Sequence, residues 1–394
     1  MNKKLLHIID KSLLKIYENY KTDPDRIGVL VGDAGVALYC IIYGSSFNND
    51  TAYRYGVDII DSCINRINKG YNFPTYCSGI CGFAWTINFL DKNHLIDLDL
   101  EETLLQLDPF LYQTMKLNMR HGDYDFLHGV LGYANYFIDR YNNTNIPLIK
   151  IQLKTILEEV LVFLEETAVI DKDGMYKWSL LREKKQNVFD MGLSHGAPSI
   201  IIFLTKIIQA NINKDYAINI LKKAIKYVLT LESTNKSLSM FPSRVELSKP
   251  VEYNSRLAWC YGDLGIALAF WKSSIILNDD NLKNKSIEII EHTILRLADD
   301  ENYVEEITLC HGALGILRII DYLEKETNIV GLKKVKELWI NRTIEQIEKK
   351  NFFKQNSINT EDFSLLLGYS GVGLSVISLL SNEDFSWDEC LLIN

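Results

Sequence analysis

Two residues able to ligate a soft metal stand side by side in the stretch Leu309-Cys310-His311-Gly312-Ala313-Leu314-Gly315. A near copy, Trp259-Cys260-Tyr261-Gly262-Asp263-Leu264-Gly265, precedes it. Two thiolates and an imidazole make the donor set of a Cys2His zinc site, in which three protein ligands leave one coordination position open. The dipole at a helix N-terminus also favours thiolate over thiol. The two stretches lie far apart in sequence, so this site forms only if the fold brings both turns together.

The glycines indicate how it does so. A Gly-x-x-Gly step recurs at Gly32/Gly35, Gly79/Gly82, Gly129/Gly132, Gly262/Gly265, Gly312/Gly315 and Gly368/Gly371, and a seventh copy at Gly196 has Ser199 in the second place. Glycines three apart share one face of a helix start and let it enter a crowded site closely. Each step follows an amphipathic stretch, near 3–20, 50–68, 99–118, 148–168, 214–233, 280–299 and 332–350. In the clearest, Ala217, Leu221, Ala224, Val228 and Leu231 share one face while Lys222, Lys223 and Lys226 take the other. Each step precedes a run that is apolar nearly all round, as a helix buried between layers requires. The unit is a helical hairpin with a polar outer helix and an apolar inner one. The last inner run, Leu374–Leu380, is as apolar as the middle ones, whereas an open solenoid needs a polar cap there. The spacing therefore predicts an all-α fold, an α/α toroid of seven helical hairpins forming one domain over 1–394. Two longer intervals place insertions near 169–189 and 234–256, with turn signals and short β-prone runs that suit a small hairpin or lid at one ring end.

Aligning the copies on the first glycine defines equivalent positions at one mouth of the ring. Two residues before it stand Leu30, Cys77, Leu127, Ser194, Cys260, Cys310 and Leu366; one before it stand Val31, Ser78, His128, His195, Tyr261, His311 and Leu367. Three of the seven cysteines and three of the seven histidines fall in these two columns. Cys260 and Cys310 belong to neighbouring repeats, and His311 joins them as the third candidate zinc ligand. Cys77 lies in the second repeat, far around the ring, and reads as a buried structural thiol. His195, Asp125, Arg256 and Tyr261 converge on the same mouth.

At these residues a resemblance becomes specific. Trp259-Cys260-Tyr261-Gly262, Cys310-His311-Gly312 and Ser194-His195-Gly196 resemble the three signature motifs of the lanthionine synthetase C-like family, the lanthipeptide cyclases, and the glycine register extends the likeness over nearly the whole chain. The resemblance implies zinc held by Cys260, Cys310 and His311, pocket residues at Asp125, His195, Arg256 and Tyr261, and an activity that closes thioether rings. A cysteine of a precursor peptide with a leader adds to a dehydroalanine or dehydrobutyrine. A lanthipeptide dehydratase and an exporter are the further partners such an activity implies. The chain departs from the family pattern at Ala197-Pro198-Ser199, and at Asp263-Leu264 where a proline is usual. The family also contains non-cyclising relatives that bind glutathione, which leaves a zinc-bearing thiol-binding protein as the alternative; a metal-free helical scaffold is the third reading.

The chemistry suits the residues. A free cysteine has a pKa of about 8.5 and is mostly thiol at neutral pH, and an open Cys2His zinc site would ionise it. Addition to a dehydro residue gives an enolate. Arg256 is the candidate for its oxygen, with Tyr261 as a second donor. His195 is the candidate acid for the α-carbon, and Asp125 would orient it.

Composition narrows the field. A net charge of −9 opposes non-specific nucleic-acid binding, which needs dense Lys and Arg. No apolar run approaches the length of about 18 residues that a membrane span needs. The N-terminal stretch carries Asp10 and Lys11 where a secretory signal would stay apolar. Seven sparsely spaced cysteines fit a reducing compartment. A cytoplasmic protein is expected, at most peripheral to a membrane complex.

Overall fold

The computed structural model describes residues 1–394 except 97–99, 180–186, 235–237, 297–303, 305, 328, 351, 355–362 and 381–384. Parts of both expected insertions, and the edges at 99 and 297–299 of two expected outer helices, lie outside the described residues. The described residues form fourteen α-helices: α1 (Asn2–Asn19), α2 (Asp33–Phe47), α3 (Asp50–Asn68), α4 (Ile80–Lys92), α5 (Glu101–Arg120), α6 (Val130–Asn143), α7 (Pro147–Thr167), α8 (Ala197–Gln209), α9 (Lys214–Leu229), α10 (Asp263–Leu277), α11 (Asp280–Ile294), α12 (Ala313–Glu326), α13 (Leu332–Lys349) and α14 (Tyr369–Leu380). None is long and apolar enough to cross a membrane.

The even-numbered helices are the inner layer. In α2 every residue from Asp33 to Gly44 is buried, and in α4 every residue from Ile80 to Leu90. The odd-numbered helices bury one stripe, as in α5, where Leu104, Leu107, Leu111 and Met115 advance by helical steps. This is the expected α/α toroid.

The pairing within it differs from expectation in one respect. The sequence joined each outer helix to the inner helix after it, but inner helices pack more on the outer helix that follows them than on the one before. The reason is a short turn. Asn48 ends α2 in the left-handed region and Asn49 caps α3 by accepting the Ala52 N–H at 2.9 Å; Asn278 ends α10 the same way and Asp279 caps α11 through the Leu282 N–H at 3.0 Å. The last inner helix, α14, has no following outer helix in sequence. It packs instead on α1, from the other end of the chain, and on α2, which closes the ring.

The turns are also linked to one another around most of the ring. In five of the seven copies the residue two before the first glycine donates its backbone N–H to its counterpart in the next turn of the series. Cys260 N–H donates to Cys310 at 3.1 Å, Cys310 to Leu366 at 3.2 Å, Leu366 to Leu30 at 2.8 Å, Leu30 to Cys77 at 3.1 Å and Cys77 to Leu127 at 2.8 Å. Ser194 Oγ donates to the Cys260 carbonyl at 3.2 Å. The glycines permit this closeness: a Cβ on Gly82 would stand 2.6 Å from the Val29 nitrogen of the neighbouring turn. Ser199, in place of a second glycine, turns its hydroxyl onto the Gly196 carbonyl at 2.7 Å.

The axis of the ring is filled. Residues Trp387–Leu391 form a 3-10 turn beneath the mouth. Trp259 Nε1 donates to the Leu391 carbonyl at 2.8 Å, and Tyr76 donates to the Cys390 carbonyl at 3.4 Å. Arg318, on α12, donates to Asp388 from Nε at 3.0 Å and from Nη2 at 2.6 Å, and to Asp321 at 2.9 Å. All three side chains are buried. Arg318→Ala would leave Asp388 without its cation, and removing one partner of a buried pair costs about 3–5 kcal/mol. Thermal or denaturant unfolding of this variant should show a loss of that size.

Four short strands complete the fold. Within the first insertion β1 (Val169–Ile170) pairs with β2 (Tyr176–Lys177). β3 (Val188–Asp190) pairs antiparallel with β4 (Arg244–Glu246) of the second, with Phe189 opposite Val245 and Asp190 opposite Arg244. Asp263 ties the second insertion to the ring by accepting the N–H groups of Met240 at 2.9 Å and Phe241 at 3.0 Å.

Candidate metal centre and pocket at the ring mouth

The turns before α10 and α12 are neighbours in the ring, so the side chains of Cys260, Cys310 and His311 converge. Their potential ligand atoms all lie within 4.8 Å of one another. Cys260 is buried, and Cys310 and His311 are half-buried. Gly262, which follows this turn, has φ +98°, and a Cβ there would lie 2.2 Å from the Arg256 carbonyl oxygen. Only glycine suits that conformation without strain.

The two sulfurs are hydrogen-bonded to each other. Cys260 is held below the ordinary thiol pKa, first by the hydrogen bond from Cys310 and then, against the effect of burial, by the nearby charges of Arg256 and His195. Cys310 is pushed up by the same bond, by burial and by the charge of Cys260. Two sulfurs this close cannot both ionise without a cation between them, which is the behaviour of a thiolate ligand pair. The donor set fits zinc.

A cavity of about 660 Å³ opens beside these residues, lined by Ser243, Arg244, Asn254, Ser255, Arg256, Tyr261, Glu306 and His311. Of the residues singled out in the sequence, Arg256, Tyr261 and His311 line it directly. His195 lies close enough to Cys260 to act on its charge. His195 Nδ1 contacts Asp125 Oδ2, and the other Asp125 oxygen accepts the His128 N–H at 2.8 Å. The buried Asp125 thus reaches His195 from the neighbouring repeat.

Cys77 stands closer than the sequence indicated. It is buried, as expected, but near enough to Cys310 to push that thiol further up. The turns are hydrogen-bonded across a narrow mouth, so separation by repeats overstates separation in space. Among the described residues Cys77 is nevertheless outside the ligand cluster.

Three residues went unnoticed in the sequence. Asp190, on β3, is buried, which pushes its carboxyl up to about 6 against the opposing Gly192 N–H, His195 and Arg244. Arg244, on β4, lies 3.6 Å from Asp190 and hydrogen-bonds Tyr261. Burial, with the charge of Asp190, raises the Tyr261 pKa and keeps its hydroxyl protonated. Glu306 Oε2 lies 2.9 Å from His311 Nε2. Asp190 and Glu306 shared a signal with Arg256: all three stand six residues before a first glycine. The backbone carbonyl there closes the turn, as when Ala313 N–H donates to Glu306 at 2.9 Å, and this brings the side chain to the rim.

Comparisons with known proteins agree with this architecture. Residues 23–392 match the family described as Lanthionine synthetase C-like protein. The chain is 22% identical over 299 residues to the nisin biosynthesis protein NisC of Lactococcus lactis subsp. lactis, across 71% of this chain and 70% of that protein. The solved structure of a nisin cyclase superposes with a TM-score of 0.78 at 18% identity, covering 100% of this chain and 97% of the other. With the family profile spanning nearly all seven repeats, the chain belongs to the lanthionine synthetase C-like family.

Proposed function

We propose that this protein is a zinc-dependent lanthipeptide cyclase that closes lanthionine or methyllanthionine rings in a dehydrated precursor peptide. The observation that supports it most is the cluster of Cys260, Cys310 and His311 beside a cavity lined by the donors Arg256 and Tyr261, with the His195–Asp125 pair close to Cys260. The substrate would be a cytoplasmic peptide bearing a leader. The activity would reside in one toroidal domain over 1–394, with the insertions near 169–189 and 234–256 contributing β3 and β4 to the mouth.

Cys260, Cys310 and His311 would hold the ion, which supplies a fourth coordination position where a substrate sulfur stays ionised at neutral pH. The remaining work falls to the chain. The thiolate adds to the β-carbon of the dehydro residue, and negative charge develops on the adjacent carbonyl oxygen. Arg256 and the protonated Tyr261 hydroxyl line the cavity as donors to that oxygen. His195, held through Nδ1 by Asp125, keeps Nε2 for delivering a proton to the α-carbon. Arg244 holds Tyr261 while pairing with Asp190, so the strand pair β3–β4 orients the donor side of the pocket.

Incubation with a dehydrated precursor tests this. Ring closure shields the peptide cysteines from alkylation without changing the mass. Zinc near one per chain with cysteines that stay fully alkylatable would instead mark a thiol-binding protein of the glutathione-binding kind, and absence of zinc would leave only a scaffold.

A further inference from the structure

Two of the three histidines that share this register position, His195 and His311, meet carboxylates through opposite ring nitrogens. In His195 the engaged atom is Nδ1, against Asp125 from the neighbouring repeat. In His311 it is Nε2, 2.9 Å from Glu306 Oε2 of its own repeat. A neutral imidazole has one N–H and one lone pair, so the partner of one nitrogen decides what the other can do. In His195 the nitrogen turned away from its carboxylate is Nε2; in His311 it is Nδ1.

We propose that Glu306 is the positioning residue of the metal centre: it accepts the His311 Nε2–H and so presents Nδ1 to the ion held with Cys260 and Cys310. Glu306 is itself placed for this. Its carbonyl accepts the Ala313 N–H at 2.9 Å at the start of α12, and Thr308 Oγ1 donates to its Oε2 at 3.4 Å. Carboxylate and imidazole are therefore fixed to one turn. An exposed ion pair contributes little to folding stability, so the consequence is expected in metal binding, where a carboxylate behind a ligating histidine fixes the ring and raises its basicity.

This rests on the zinc reading above, and the experiment separates the two. Full-length metal-free protein is titrated with Zn²⁺ against a competing chromophoric chelator. Glu306→Ala is expected to weaken zinc affinity about 10- to 100-fold, with helicity and melting temperature of the metal-free protein unchanged. Glu306→Gln, whose amide oxygen still accepts from Nε2–H, is expected to recover most of that loss. Histidine ¹⁵N spectra of the zinc-loaded wild type should show metallated Nδ1 and protonated Nε2 at His311. Wild-type affinity in Glu306→Ala, equal losses in the two variants, or metal on Nε2 would each overturn the proposal. A wild-type chain that takes up no zinc would overturn the metal centre itself.

Discussion

Cys310→Ala is expected to lose bound zinc and ring closure together while remaining helical. The cluster has three protein ligands, and with one thiolate gone the remaining Cys260–His311 pair cannot hold stoichiometric metal through purification. The folding penalty should be small. Cys310 is only half-buried, and its contribution to the ring is a backbone N–H to Leu366 that alanine keeps. Metal analysis, circular dichroism and the alkylation assay together read the outcome. Cys77→Ala is the matched control: it removes a nearby thiol outside the cluster and should retain zinc. Stoichiometric zinc in Cys310→Ala would sink the ligand assignment, and loss of zinc in Cys77→Ala would require a different ligand set.

His195→Asn is expected to separate metal binding from turnover. The variant should keep its zinc, because His195 is not among the clustered ligands. Ring closure should fall about 10²- to 10⁴-fold, the usual contribution of a positioned proton donor. Addition without protonation is reversible, so the peptide should bind through its thiol and leave unchanged. Asp125→Asn should lower the rate less: an amide can still accept from the Nδ1–H but loses the charge that stabilises a protonated ring. Ring closure near the wild-type rate in His195→Asn would remove it from the mechanism.

Much of this molecule is legible in its sequence, for identifiable reasons. Glycine spacing and the two kinds of apolar periodicity expose seven repeats because close turns and buried inner helices leave strong residue preferences. The candidate ligands emerge because cysteines and histidines concentrate in two register columns. The hairpin direction was readable from Asn48-Asn49 and Asn278-Asp279, a left-handed stop followed by a cap, but alignment on the glycine turns hid it. Glu306 and Asp190 stand further from the glycine, in a column shared with Arg26, Phe73, Asp123, Arg256 and Asp362; it is rich in charge but mixed in sign, and surface turns are commonly charged. Arg244 reaches the pocket only because β4 pairs with a strand from another insertion, and such a pairing leaves no periodic trace. The segment at Trp387–Leu391 lies beyond the last repeat and outside its register; its partners Arg318, Trp259 and Tyr76 lie on three different repeats.

That tail and the packing of α1 on α14 set a timetable for biosynthesis. In a growing chain α1 emerges hundreds of residues before the helix it must cover. Until then the apolar stripe of α1, with Leu5, Ile8, Ile9, Leu13 and Ile16, lacks the helix on which it packs most. The floor under Cys260 arrives later still, with the Leu391 carbonyl that receives Trp259. The nascent protein therefore cannot assemble its mouth repeat by repeat, as a linear array could. Such long-range closure slows folding, and an incomplete chain would present apolar surface to chaperones in place of a working pocket.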